Sequence, residues 1–144
     1  MNAADTVNRI RGGLGDHLLA FHPHAGRRCY IDVPPEAVHE AAVLMYEEIG
    51  ARLQIATGID TPNGIEVMYH WALDEEDAVV TVRATVPHED PVLDSVADVC
   101  DAAEWIEREI WELLGVEFRG HPDLRHLLLD DGWPEGNYPL RKQA

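Results

Sequence analysis

Residue types that could do chemistry are plentiful in this chain, and their spacing decides what they can do. Eight histidines stand among 27 acids. His22-x-His24 falls in a turn-like stretch, and His121 and His126 lie five apart. A metallohydrolase helix instead pairs two histidines at i,i+4 with a glutamate between them, so no metal ligand is assigned. Cys29 and Cys100 stand alone with no CxxC, which argues against a cysteine-rich zinc site or an iron–sulfur cluster held by this chain by itself. No nucleophile elbow, P-loop or GxGxxG is present. Glu104, Glu107, Glu109 and Glu112 read as a solvated helix face rather than an acid–base pair. No catalytic or cofactor-binding residue is therefore assigned, and a non-catalytic subunit is favoured over an independent enzyme. A free-standing acidic enzyme using carboxylates with His121, and a stand-alone adaptor, are the readings from other classes.

The residues suited to binding are concentrated in Asp101–Lys142, which holds three of the four tryptophans. Trp105, Trp111, Trp133 and Tyr138 are the aromatic candidates for partner contact, since exposed Trp and Tyr often anchor interfaces. Pro139 and Leu140 accompany them. Arg125, Arg141 and Lys142 are among only 11 basic residues and could meet carboxylates of a neighbour through forked or point-charge bonds.

The overall charge narrows the partner. A net charge of −16 argues against nucleic acid, which needs clustered Lys and Arg, and against docking on an anionic membrane. No signal peptide is visible, and the apolar runs are too short to span a bilayer. Two distant cysteines suggest reduced thiols and a cytoplasmic setting. With 46% hydrophobic and 26% charged residues, 144 residues suffice for one soluble domain with a real core.

The elements that must position these residues read as α+β. Val7, Ile10 and Leu14 predict a helix over Asn2–Gly15, capped by Asn2 or Asp5. His17–His22 and Cys29–Val33 are expected strands with a turn at His22–Gly26. Pro35–Ile49 is a helix with Pro35 at its first position and Gly50 as its stop. Arg52–Asp60, Ile65–Leu73 and Ala78–Val86, joined by short turns, predict an antiparallel meander. Ile65, Val67, Tyr69 and Trp71 share one face, and Met68 and His70 share the other. The expected fold is a mainly antiparallel sheet of about four strands with helices on one face, occupying residues 1–118.

The last helix, Asp101–Leu114, shows an apolar stripe of Ala102, Ala103, Ile106, Ile110, Leu113 and Leu114. Glu104, Arg108 and Glu112 fill the opposite face as i,i+4 pairs. Trp105 and Trp111 lie outside the stripe's two edges, either folding over the core or awaiting a partner. Val116–Phe118 is a short extended piece and Gly120–Asp123 a turn. Leu124–Leu129 reads as a short apolar element. Residues 119–144 form an extended tail with neither a period-2 nor a period-3.6 pattern. Such a tail must wrap its own domain or dock on another subunit, and the second is the reading adopted.

The order of Glu107-Arg108-Glu109, Gly115, Gly120–Arg125, Leu127–Leu129, Asp131, Trp133 and Pro139–Lys142 resembles the 30 kDa-type subunit family of complex I, the C subunit of NADH:quinone oxidoreductase. The likeness extends over about residues 30–142, taking in Val82–Val86, Pro87, Asp90-Pro91, Ser95-Val96 and Asp98. It implies an α+β subunit in the hydrophilic arm of a membrane-bound redox complex, involved in electron transport and proton translocation. It would sit on the cytoplasmic side of the cell membrane without inserting. Its partners would be a hydrogenase-like large subunit and an iron–sulfur small subunit. Iron–sulfur clusters, and a nickel–iron centre where present, would belong to those partners and none to this chain. The family also includes a homologous subunit of energy-converting, membrane-bound NiFe hydrogenases. The phrase Trp133-Pro134-Glu135-Gly136-Asn137-Tyr138-Pro139-Leu140-Arg141-Lys142 is closer to that group's tail, which makes the hydrogenase-type complex the expected one. The respiratory complex is the alternative. Relatives commonly continue with an Asp and an aromatic where this sequence has Gln143-Ala144.

Overall fold

A computed structural model describes residues 3–24 and 26–142. The proposed Asn2 cap and the Gln143-Ala144 end lie outside them. Helix α1 (Ala3–Leu14) runs into a short 3-10 turn at Gly15–His17. Strands β1 (Ala20–His24) and β2 (Arg28–Asp32) form a hairpin. The first strand thus begins later than His17 and takes in His22 to His24, because the preceding residues complete the helical turn. A 3-10 turn at Pro35–Ala37 leads into α2 (Val38–Val43), which widens to a π-helical stretch over Leu44–Ile49. Gly50, at φ +80°, ends it in the left-handed conformation glycine adopts without penalty.

Strands β3 (Arg52–Thr61), β4 (Gly64–Leu73) and β5 (Ala78–Val86) are the expected antiparallel meander. The five-stranded sheet has the order β1-β2-β5-β4-β3, with β2 and β5 parallel and the other pairs antiparallel. On its inner face, Leu53, Ala56, Ile65, Val67, Tyr69, Trp71, Val80, Val82, Ala84 and Val86 are buried with Ile31 of β2. Ile10, Leu14, Val38, Ala41, Ala42, Met45, Ile110 and Leu114 from the three helices complete that core. This is the α+β arrangement of helices on one sheet face, and burial of the apolar inner surface is its main source of stability.

Two short parallel strands, β6 (Val92–Asp94) and β7 (Glu117–Arg119), bracket helix α3 (Ala103–Leu114). Leu93 of β6 and Phe118 of β7 are buried in the same core. After Arg119 the described chain has only turns and bends, so Leu124–Leu129 is not a regular element. Among the described residues, no helix is long and apolar enough to cross a membrane.

Candidate partner-docking surface

Helix α3 is fixed from two sides, and its charged residues do the fixing. Ala103, Glu107, Ile110 and Leu114 follow 4-3-4 spacing and turn toward the sheet, all buried. Glu107 is thus enclosed within the apolar stripe rather than solvated. Its carboxylate accepts a hydrogen bond from the Tyr69 hydroxyl at 2.6 Å, from the Ser95 hydroxyl, and from the Val96 N–H at 3.0 Å. Burial pushes its pKa up, partly opposed by these three donors. The bonds tie β4, α3 and the loop after β6 into one knot.

Glu104, Arg108 and Glu112 do share a face, but the tail lies on it in place of solvent. The tail runs alongside the helix in the same direction, with one attachment per turn. His121 Nδ1 accepts from the Asp123 N–H, so Nε2 carries the proton and donates to the Glu104 carbonyl at 2.7 Å. The Arg108 guanidinium donates to the carbonyls of Arg125 and His126. Glu112 accepts from the N–H groups of Leu127, Leu128 and Leu129 at 2.7–3.2 Å, and from His126 Nδ1 at 3.1 Å. Burial raises its pKa, but these donors outweigh it and hold the carboxyl below its ordinary value. Glu104, Arg108 and Glu112 therefore bond the tail and not one another, because backbone groups of an irregular segment need partners that water cannot supply once covered.

The end of the tail is anchored separately. The Leu140 N–H donates to the Leu113 carbonyl, and Arg141 Nε donates to the Leu114 carbonyl. Both satisfy the open C-terminal carbonyls of α3. The Tyr138 ring covers Gly115, where a Cβ would come within 2.6 Å of it. The Lys142 N–H donates to Asp60 Oδ2 at 2.7 Å, while His88 Nε2 holds Oδ1 at 2.6 Å. The Lys142 amide, with His88, keeps the Asp60 carboxyl below the usual carboxylate range.

The residues expected to contact a partner fall into two groups. Trp111 packs its ring on His126 at 5.3 Å, Tyr138 and Arg141 close the tail end, and Trp133 donates to the Asn137 carbonyl within the tail's own turn. These four are engaged inside the chain. Trp105 is 66% exposed and Leu140 56% exposed, and Pro139, Arg125 and Lys142 are also at the surface. Arg125 is paired with Asp123 at 2.8 Å. Leu128, 64% exposed, joins this outer layer, and the sequence marks it only as one of three successive leucines, not as the one turned outward. The buried roles of Glu107, Arg108 and Glu112 also depart from the solvated face that the sequence suggests. For Glu107 a signal exists, since it sits midway along the Ala103–Leu114 stripe.

Comparison with known proteins gives this arrangement a family. Residues 31–144 match the model of the family described as respiratory-chain NADH dehydrogenase, 30 Kd subunit. The chain is 39% identical over 88 residues to the C subunit of the F(420)H(2) dehydrogenase of Methanosarcina mazei, covering 60% of this chain and 55% of that one. It is 33% identical over 118 residues to the C subunit of the NADH-quinone oxidoreductase of Rhodobacter capsulatus, covering 78% of this chain and 58% of that one. Matches to fused C/D subunits, such as that of Phocaeicola vulgatus at 39% identity, cover 22% of the relative. The chain thus spans little more than half the length of these two unfused relatives, and less of the fused ones. Among solved structures, a chain of the membrane-bound sulfane sulfur reductase, an archaeal respiratory membrane complex, shares the fold at TM-score 0.80 and 24% identity, covering 96% of this chain and 82% of that one. A trypsin-resistant fragment of Nqo5 shares it at TM-score 0.67 and 24% identity, covering 83% and 99%. By the match over residues 31–144, the chain belongs to the 30 kDa subunit family of respiratory-chain NADH dehydrogenase.

Proposed function

We propose that this chain is a non-catalytic structural subunit of the hydrophilic arm of a membrane-bound, complex I-like oxidoreductase, and that it packs against the complex's large subunit. The observation that carries this is the layer formed by α3 and the tail. The N–H groups of Leu127, Leu128, Leu129 and Leu140 are bonded within the chain, yet the layer presents Trp105, Leu128 and Leu140 outward. A rigid surface with exposed large apolar groups and spare charge at Lys142 suits an interface whose partner supplies the cover. Redox centres belong to the partner subunits in this reading, and attachment to the membrane on its cytoplasmic side is through them.

The names of the relatives favour the corresponding role in a quinone-reducing complex. The hydrogenase-type complex is the second reading, favoured by one observation, the Trp133–Lys142 phrase. Affinity purification of the tagged chain from its native membranes tests both. Co-purification of a large subunit and an iron–sulfur subunit is expected, and the electron donor oxidised by the isolate separates the two complexes. A chain that purifies alone from detergent-solubilised membranes sinks the proposal. Trp105→Ala should leave the melting temperature unchanged while lowering recovery of the large subunit about tenfold.

A further inference from the structure

The β3 edge of the sheet is open, and it is built unlike the opposite edge. At the β1 edge the strand is five residues long and interrupted by Pro23, a usual way to blunt a sheet margin. Strand β3 is ten residues long, which at about 3.3 Å per residue makes an edge of about 33 Å. It contains neither Lys nor Pro. Its two charges are occupied, Arg52 with Asp74 at 2.9 Å and Asp60 with His88 and Lys142. Between them Leu53–Ile59 is uncharged, and Ile55 and Ile59 stand 51% and 41% exposed on the face turned away from the helices. Among the described residues, no backbone group outside the sheet bonds to the backbone of residues 52–60. Only a bulge between Leu53 and Ile55 disturbs the ladder.

This edge also adjoins the docking layer. Ile110 and Leu114 of α3 pack over Gly58, and the tail's last described residue bonds Asp60. An unpaired row of N–H and C=O groups is satisfied by another extended backbone, with side chains at alternate positions giving selectivity. A second copy of this chain is disfavoured by a net charge of −16 on each.

Resting on the subunit reading above, we propose that β3 receives an extended segment of the large subunit, which adds to the sheet as a sixth strand. That segment carries apolar side chains at alternate positions, over Ile55 and Ile59, and is neutral or basic overall.

Hydrogen exchange, compared between the free chain and the purified native complex, tests the strand addition directly. The β3 amides that point away from β4 are expected to exchange freely in the chain alone and to be protected in the complex. Ile55→Lys/Ile59→Lys should melt like wild type and recover about tenfold less partner. A wild-type complex whose outward β3 amides stay unprotected overturns the strand addition and leaves the subunit reading standing. A free chain that forms a dimer protecting the same amides also overturns it, by showing the edge pairs with itself. A wild-type chain that purifies alone overturns both.

Discussion

Glu112 shows how one side chain can order a segment that has no pattern of its own. Its two carboxylate oxygens take the N–H groups of three successive leucines and the ring of His126. Removing it strands those donors beneath the tail. Glu112→Ala is expected to cost about 3 kcal/mol, because unsatisfied buried donors lose their full desolvation penalty. The same variant should be cut by trypsin after Arg125 faster than wild type; unchanged cutting would refute the clamp. The charge state matters too. Glu112 and Asp60 have pKa values held below the ordinary carboxylate range, so each supports the folded state above its unfolded pKa. That support is lost as pH falls through the depressed folded value. Glu107 has a raised pKa and acts in the opposite sense, its contribution being full below its unfolded pKa and lost as pH rises through the raised one. In the acid window below about pH 4, the ordinary carboxylate value, fluorescence of Trp111, packed on His126, should therefore report loosening of the tail. Glu112→Gln should flatten that acid limb. A wild-type signal constant across the window would count against it.

At the level of elements, two glycines mark where α3 is seated. At Gly58 a Cβ would lie 2.5 Å from Leu114 Cδ1 and 3.2 Å from Ile110 Cγ2, so β3 and α3 touch through the missing side chain. Gly58→Ala is expected to destabilise by about 1–3 kcal/mol, the cost of overpacking, with the tail still protease-resistant. Gly115 sits at φ +80° under Tyr138. Gly115→Ala should cost about 2 kcal/mol through the left-handed backbone and should also release the tail end, which separates it from Gly58→Ala in a proteolysis assay. The helices and the meander are legible in the sequence because their periods are strong and local. Two things are not. The parallel β2–β5 pairing joins strands that bracket α2, β3 and β4, and no local period reports such a contact. The solvation of Arg108 and Glu112 is misjudged from sequence because a wheel gives direction and not cover. Cover comes from an aperiodic segment whose donors are backbone N–H groups, carried by every sequence alike. The apolar marks on that segment, Leu127–Leu129 and Leu140, show only that it has something to bury.

The whole molecule behaves as one unit if the tail is part of the fold, and its bonding says that it is. The division at residue 118 separates a region with a core from one without, yet the bonds cross it at five places along α3 and β3: Glu104, Arg108, Glu112, Leu113–Leu114 and Asp60. Arg108 and Glu112 are buried under the tail. A chain truncated after Arg119 would return both charges to water, along with the apolar flank of Trp111 and the Gly115 surface that Tyr138 covers. Truncation is thus expected to lower the melting temperature by about 10 °C, taking about 3 kcal/mol lost and roughly 3–4 °C per kcal/mol for a domain of this size. The full chain should melt in one transition, with the Trp111 signal and the far-ultraviolet signal coinciding. A first transition confined to tail release, followed by a second equal to that of the truncated chain, would show that residues 119–142 are held independently of the domain. In that case the α3–tail layer would have to acquire its shape on the partner. The single transition expected here instead means that the proposed docking surface is already formed before any assembly, so a complex of the proposed kind would gain a rigid face without the entropic cost of ordering it on binding.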